Sequence, residues 1–491
     1  MNHGLRRVSI LVLIMFGLLL VNVNYVQAFQ ATSFAGDPGN GRVFSQQFQY
    51  QRGPIITSDG KMIADSVPVK GIYSYQRHYL QGPVYAPVTG YDSMYGVTGI
   101  EAAENKLLNG TDTQLAVRNL VDMITGKKKK GATVQLTVNS AAQQAAYRGL
   151  KASGLPGAAV AIDPSTGAIL AMASVPTYDP NSYTTFSGKQ LNRIDNQYRN
   201  SKSQPLLNRA LNATYPPGST FKVVTSSTAF SGNGYNPDKV VYAPTNLKLP
   251  NTSNQLINFD NEACGSGRVP VLYAFTVSCN TVFGDIGMKL GGAKLRAQAD
   301  KFGFNNPNLT IPVPVAPSNY PAVSDPALTA YSAIGQYNDT VTPLQEAMLS
   351  AAIANNGALM KPYLVQKATA PDLTPLQSAQ PSMLSQAVSS GVAQEVGRMM
   401  RSVVADPAGT AHISAGTGAA ASLNIAGKTG TAQNGMNNIG LDDAVFTGFA
   451  PYGNPKIAVG VVVQGGGLGA DASAPIAVQI IQAYLSNLAK R

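Results

Sequence analysis

The sequence predicts an α+β protein carried outside the cytoplasm behind a membrane-spanning helix, and three observations carry that expectation. β-prone runs stand at both ends of the larger, C-terminal part of the chain with helical patterning between them, which implies one sheet assembled from distant segments. A shorter region before it alternates β-prone runs with turn residues. The chain opens on an apolar run of membrane-spanning length.

Taken in order, "MNHGLRR" precedes "VSILVLIMFGLLLV", Val8 to Val21, which carries no charge; "NVNYVQAF" extends it. Arg6 and Arg7 keep the short N-terminus in the cytoplasm, so a single-pass plasma-membrane protein with an extracytoplasmic bulk is expected. "VQA" up to Ala28 also fits a signal-peptide cleavage site, but the long apolar segment favours an uncleaved anchor. "RVFSQQFQYQRGPIITSDGKMIADSV" then reads as hairpin-rich around the turn Ser58 to Gly60. Helical stretches follow around Ile100 to Leu108 and Leu115 to Ile124. "GKKKKGA", Gly126 to Ala132, reads as a solvated linker, dividing the chain into 1–28, 29–130 and 131–491. Ala158 to Ser174 is a hairpin around Asp-Pro-Ser-Thr-Gly. "TPLQEAMLSAAIANNG" is a helix from Thr342-Pro343 to Gly357. "KIAVGVVVQGG" is a buried strand, and Ile476, Ile480, Ile481, Tyr484 and Leu488 recur at helical spacing.

Composition excludes several classes. Charged residues are only 12% while Gly (48) and Pro (31) are numerous, which suits a loop-rich globular protein and excludes a coiled coil or a disordered tail. The net charge of +11 favours anionic surroundings, but no basic run is interleaved with aromatics, so no nucleic-acid partner is expected. The histidines, His3, His78 and His412, lie away from Cys264 and Cys279, so no metal site is expected. In an oxidising compartment the two cysteines either pair, closing a loop of about 15 residues worth roughly 3 kcal/mol in the chain-entropy model, or stay as buried thiols.

The chemistry begins with "NATYPPGSTFKVVTSS", Asn212 to Ser227. It puts Ser219 three residues before Lys222, behind a Pro-Pro-Gly break. If a helix starts there, the Lys222 amine reaches the serine hydroxyl, and the helix N-terminal field favours both a neutral amine and an oxyanion at the serine. Taken alone, S-x-x-K is a weak pattern, and an N-capping serine with a solvated lysine is its commoner meaning. "TVSCNTVFGDIGMKLG" adds Ser278 and Asn280, which a turn between two helices would aim into one cleft. "LNIAGKTGTAQ" adds Lys428, Thr429, Gly430 and Thr431 on a strand, where Thr429 and Thr431 share a face. Gly427 and Gly430 there would let a peptide backbone approach as an added edge strand. A Ser-His-Asp triad is disfavoured because His412 is the sole histidine in the catalytic region and no flanking motif supports it.

"STFK", "SCN" and "KTG", 59 and 150 residues apart, together with "RGPIITSDGKMIA", "AIDPSTGAILAMAS" and "AIGQYNDTVTPLQEAMLSAAIANNGALMKPYLV", resemble class B penicillin-binding proteins of the actinobacterial penicillin-binding protein A type, over nearly the entire chain. The resemblance implies a β-rich, non-catalytic pedestal and linker over 29–130. It implies a penicillin-recognising serine transpeptidase fold over 131–491, with an antiparallel sheet flanked by helices plus a helical subdomain. It implies a serine D-Ala-D-Ala transpeptidase, with carboxypeptidase side activity, that cross-links peptidoglycan stem peptides in wall synthesis and is acylated by β-lactams, without a cofactor. Ser219 would be the nucleophile, Lys222 its base, Ser278 the proton relay and Asn280 the holder of the acyl-side amide. Lys428 would supply positive potential, with Thr429, Gly430 and Thr431 binding the substrate carboxylate. A polytopic membrane glycan polymerase would be the partner.

One departure stands out. The family commonly has a tryptophan after K-T-G, and here "DDAVFTGFAP", Asp442 to Pro451, has none. Two alternatives are weighed against the transpeptidase. A class A-type β-lactamase would need a carboxylate past the S-x-N motif, and Asn308 to Pro321 offers none. A β-lactam sensor would need a cytoplasmic domain that seven residues before Val8 do not supply.

Overall fold

The computed structural model describes residues 3–30, 47–115, 128–433 and 442–490, with 118, 121 and 124–126 between them. Most of the expected helix from Leu115 to Ile124, and the residues before Gln47 in the hairpin-rich region, lie outside the described residues. In chain order the strands that position the site are β1 (Ile55–Ile56), β2 (Met62–Pro68), β3 (Tyr75–Tyr79), β4 (Thr133–Leu136), β5 (Gly157–Ile162), β6 (Ile169–Val175), β7 (Val365–Thr369), β8 (Pro375–Ser378), β9 (Ala426–Ala432), β10 (Asp443–Ala450) and β11 (Ile457–Val463). The helices are α1 (His3–Tyr25), α2 (Ser140–Ser153), α3 (Lys222–Phe230), α4 (Val271–Thr276), α5 (Asn280–Leu290), α6 (Pro343–Ala354), α7 (Ser390–Ala405) and α8 (Ser473–Leu488).

The α+β layering is present. A five-stranded antiparallel sheet runs β9-β10-β11-β5-β6, so segments more than 250 residues apart in sequence pair side by side. β5, β6, β10 and β11 are buried along their whole length, which is why they read as continuous apolar runs rather than alternating ones. α2 and α8 pack on each other and on this sheet. α6 lies where Gly460 leaves room: a Cβ on Gly460 would stand 2.4 Å from Ala347 N. Between sheet and helical region sits α3, whose nine residues are all buried. α6 begins where the sequence places it, with the Thr342 side chain accepting from Gln345 N.

A second sheet runs β8-β7-β4-β1-β2-β3. The β1–β2 hairpin closes on the Ser58–Gly60 turn, with Gly60 at φ 78°. β4, directly after the lysine run, pairs parallel with β1, and β7 and β8 from the middle of the larger region extend the same sheet. The two regions are therefore stitched together by backbone pairing. The apolar segment forms a helix over Gly4–Gln30, exposed on all sides; at 1.5 Å per residue it is about 40 Å long, enough for a hydrocarbon core.

Against the second sheet lies a buried charge cluster. Glu101, fully buried, takes Arg52 Nε on one oxygen and Arg77 Nε on the other, each at 2.6 Å, and Tyr79 OH at 3.2 Å. Arg52 also donates to the carbonyl of Glu101, and Arg77 to that of Gly53. Burial pushes the Glu101 carboxyl up, but Arg77 and Arg52 pull harder and hold it below the ordinary glutamate range. Removing it takes the carboxylate from Arg77 and leaves Arg52 only Asp92, at 3.7 Å, so Glu101→Ala is expected to cost about 3–5 kcal/mol, read as a loss in thermal or denaturant unfolding. In the wild type this contribution is present above the ordinary pKa of 4.5 and is lost as pH falls below it.

Candidate active site

Pro217 and Gly218 turn the chain into a short 3₁₀ segment, Gly218–Phe221, which runs directly into α3. Ser219 sits in that segment, half-buried, and its hydroxyl has no hydrogen-bond partner among the described residues. Gly218 is at φ 54°, and a Cβ there would meet the carbonyl of Thr431 at 2.7 Å; one on Gly430 would meet the carbonyl of Pro217 at the same distance. The serine turn is thus pressed against β9. This corrects one expectation: the space above Gly430 is taken by the chain's own turn, and that beside Gly427 by the Phe446 ring.

The S-x-N segment is the turn between α4 and α5. Ser278 N bonds Phe275 O at 3.1 Å and Cys279 N bonds Ala274 O at 2.7 Å, a Schellman closure of α4 with Ser278 at the left-handed position, φ 61°. Glycine is the usual residue there, so the hydroxyl is held at a conformational cost. Asn280 opens α5. Cys279 offers no cap, and Asn258 does so from a distance, its Oδ1 accepting from Asn280 N and Thr281 N at 2.9 and 3.0 Å. A disulfide joins Cys279 to Cys264, Cα–Cα 6.0 Å, tying the same turn to the preceding loop.

These elements converge. Lys222 Nζ lies 2.7 Å from Ser278 O, 2.7 Å from Asn280 Oδ1 and 3.3 Å from Ser278 Oγ. Lys428 Nζ, from β9, lies 2.9 Å from the same Ser278 Oγ. One hydroxyl therefore stands between two amines, both fully buried. The rings of Phe283 and Phe275 lie beneath them, 5.7 and 5.6 Å from the respective nitrogens. Burial, then the neighbouring Lys428, drives the Lys222 amine well below the usual lysine range; burial brings Lys428 down to about 7. Lys222 is turned toward Ser278 and Asn280 and makes no hydrogen bond to Ser219, which differs from the reach expected of neighbouring helix positions. The reason is that three acceptors of the S-x-N turn surround it.

Thr429 is buried and 2.6 Å from Thr410 Oγ1, while Thr431 is half-buried at the edge of the sheet. β9 is the terminal strand of its sheet, so its outer edge borders the site. In the strand that lacks the family tryptophan, Val445 and Phe446 are both fully buried, and the Phe446 ring fills the space left by Gly427 and Gly448. His412 bonds Val404 O at 3.1 Å and takes no part in the cluster. Among the described residues no group of His, Cys, Asp and Glu is arranged to hold a metal ion.

The family model for the penicillin binding protein transpeptidase domain matches residues 157–482. The chain belongs to the penicillin-binding-protein transpeptidase family. The model for the penicillin binding protein A dimerisation domain matches residues 52–134 of this transpeptidase. It is 39% identical to the peptidoglycan D,D-transpeptidase PbpA of Mycolicibacterium smegmatis, and 37% identical to PbpA of Mycobacterium tuberculosis, over 99% of both chains in each case. The ceftriaxone acyl-enzyme structure of penicillin-binding protein A from M. tuberculosis superposes with a TM-score of 0.86 at 35% identity, covering 90% of this chain and all of that one.

Sequence reasoning missed Asn258 and Thr410, whose places depend on tertiary contacts. Asn258 alone left a signal: a cysteine in the N-cap position of α5 requires a cap from elsewhere. Ser278 yields the prediction. Ser278→Gly relieves the left-handed strain and is expected to stabilise the fold by about 1 kcal/mol while lowering acylation by labelled penicillin about 10²-fold. Equilibrium unfolding and acylation kinetics on one preparation separate the two effects.

Proposed function

We propose that the transpeptidase cross-links peptidoglycan by way of an acyl-enzyme on Ser219. Ser219 Oγ attacks the carbonyl carbon of the penultimate D-alanine of a stem peptide; Lys222, neutral because it is buried beside Lys428, takes the hydroxyl proton. The backbone N–H groups of Ser219 and Thr431, brought together by the close packing of Gly218 on Thr431, hold the oxyanion. As the C–N bond breaks, Ser278 passes a proton from the lysine pair to the departing D-alanine amine. The amine of a neighbouring stem then attacks the ester, loses its proton along the reverse path, and releases Ser219 with a new amide. Asn280 holds the amide on the acyl side, and Lys428, Thr429 and Thr431 meet the terminal carboxylate of the donor. The observation that carries this reading is the single hydroxyl of Ser278 within reach of both the Lys222 and Lys428 amines, with Ser219, three residues before Lys222, having no hydrogen-bond partner among the described residues.

A β-lactam enters the same cycle as a donor whose leaving amine stays tethered, so it remains bound on Ser219. The helix over Gly4–Gln30 anchors the chain as a single span, with residues 29–130 as pedestal and 131–491 as the catalytic unit outside the membrane. A polytopic membrane glycan polymerase supplies the strands, since neither matched family model is a polymerase.

The test is mapping the acyl group. Labelled penicillin is expected on the Ser219 peptide and to be absent from Ser219→Ala. Lys222→Ala is expected to acylate about 10²–10⁴-fold more slowly. With a thioester donor and a D-amino acid acceptor, the wild type forms the exchange product. Normal labelling of Ser219→Ala would refute the assignment.

A further inference from the structure

Against the serine turn lies a carboxyl that the mechanism above does not use. Glu346, in α6, is 1% exposed, with Oε1 2.8 Å from Thr220 Oγ1 and Oε2 without a partner among the described residues. Thr220 Oγ1 is also 2.8 Å from the carbonyl oxygen of Pro217. That carbonyl is the one pressed on Gly430 of β9, and Pro217 and Thr220 bracket Ser219. Thr447 of β10 donates to the backbone carbonyl of Glu346, fixing the helix against the sheet.

Counting protons decides the state of this acid. Thr220 has one hydroxyl proton and two oxygen neighbours. The Pro217 carbonyl only accepts, so if Glu346 were ionised, two acceptors would compete for one proton and a charge would be buried with one oxygen bare. If Glu346 is protonated, it donates to Thr220, Thr220 donates to Pro217, and both contacts are filled. The bare Oε2 is then an uncharged carbonyl oxygen. We propose that Glu346 is a positioning residue: a neutral carboxylic acid that, through Thr220, locks the Pro217 carbonyl and with it the turn that carries Ser219. The inference rests on Ser219 being the nucleophile.

Burial raises the Glu346 carboxyl to about 8. No ion pair offsets it: β5 and β11, packed on α6, carry no ionisable side chain. The charged groups on the other neighbouring elements are Arg209, Asp443, Lys222, Lys428 and, on α7, Glu395, Arg398 and Arg401; none is close enough to move its proton affinity. Ionisation therefore breaks the relay at alkaline pH, loosening the turn without touching the lysines.

The experiment uses the full-length chain in detergent and labelled penicillin at saturation, from pH 6 to 9.5, with the acyl site mapped at each pH. The wild-type acylation constant is expected to fall with a component near pH 8. Glu346→Gln, which still donates but does not ionise, is expected to lack that component; Thr220→Val is expected to be about tenfold slower throughout. The titration of Lys428 is common to wild type and Glu346→Gln and cancels in their ratio. Superimposed profiles with the label on Ser219 overturn the role of Glu346 alone; a label on another residue removes the nucleophile assignment with it. Should Glu346→Gln fail to fold, ¹³C-glutamate infrared spectra of the wild type decide: a protonated carboxyl band at pH 7 that titrates near pH 8 supports the proposal, and its absence overturns it.

Discussion

Two buried amines and a single hydroxyl set the terms for this protein. Lys222 and Lys428 both reach Ser278 Oγ, at 3.3 and 2.9 Å, over a floor of Phe275 and Phe283 and, among the described residues, with no carboxylate as a hydrogen-bond partner of either amine. Two ammonium groups in such a place are mutually repelled and poorly solvated, so at least one sheds its proton. Much of the surrounding architecture holds them there. α3 brings Lys222 up from the core, β9 brings Lys428 across from the sheet, and the turn between α4 and α5 brings the hydroxyl, at a left-handed backbone position that glycine would occupy more easily.

The sheet makes this arrangement durable. β9 is joined to β10 along its whole length, Lys428 opposite Thr447, and the serine turn packs on its Gly430 and Thr431 so tightly that no side chain would fit. The second sheet is fastened to the catalytic region by β7 and β8 and underpinned by the Arg52–Glu101–Arg77 cluster. Stability and chemistry use opposite solutions to buried charge. The region under the second sheet pairs its ions closely; the active site gives its two amines no ion partner among the described residues, and burial lowers the proton affinity of both.

Elements whose pattern is local were legible in the sequence. The Ala158–Ser174 hairpin, the capped start of α6 at Thr342-Pro343, the closing helix and the apolar N-terminal segment all carry their own periodicity or turn residues, and each forms as expected. Of the motif residues, Lys222, Ser278, Asn280 and Lys428 also meet in one hydrogen-bonded cluster. What the sequence hid depends on contacts between distant segments. Ser278 shows no sign of its left-handed angle, Asn258 none of its role as cap to a helix 22 residues on, and Glu346 reads as an ordinary helix residue because α6 is buried nearly all round. The glycines misled for a related reason: a missing side chain signals a close neighbour, but not which one.

Burial beside Lys428 lowers the proton affinity of Lys222, so that the amine is ready to take a proton. ¹⁵N NMR of the lysine Nζ groups in the full-length protein, with Lys222 assigned by its loss in Lys222→Met, measures this directly. A neutral-amine shift at pH 7, with titration well below the ordinary value of 10.5, is the predicted result. A Lys222 ammonium that stays charged until pH 10 would contradict it.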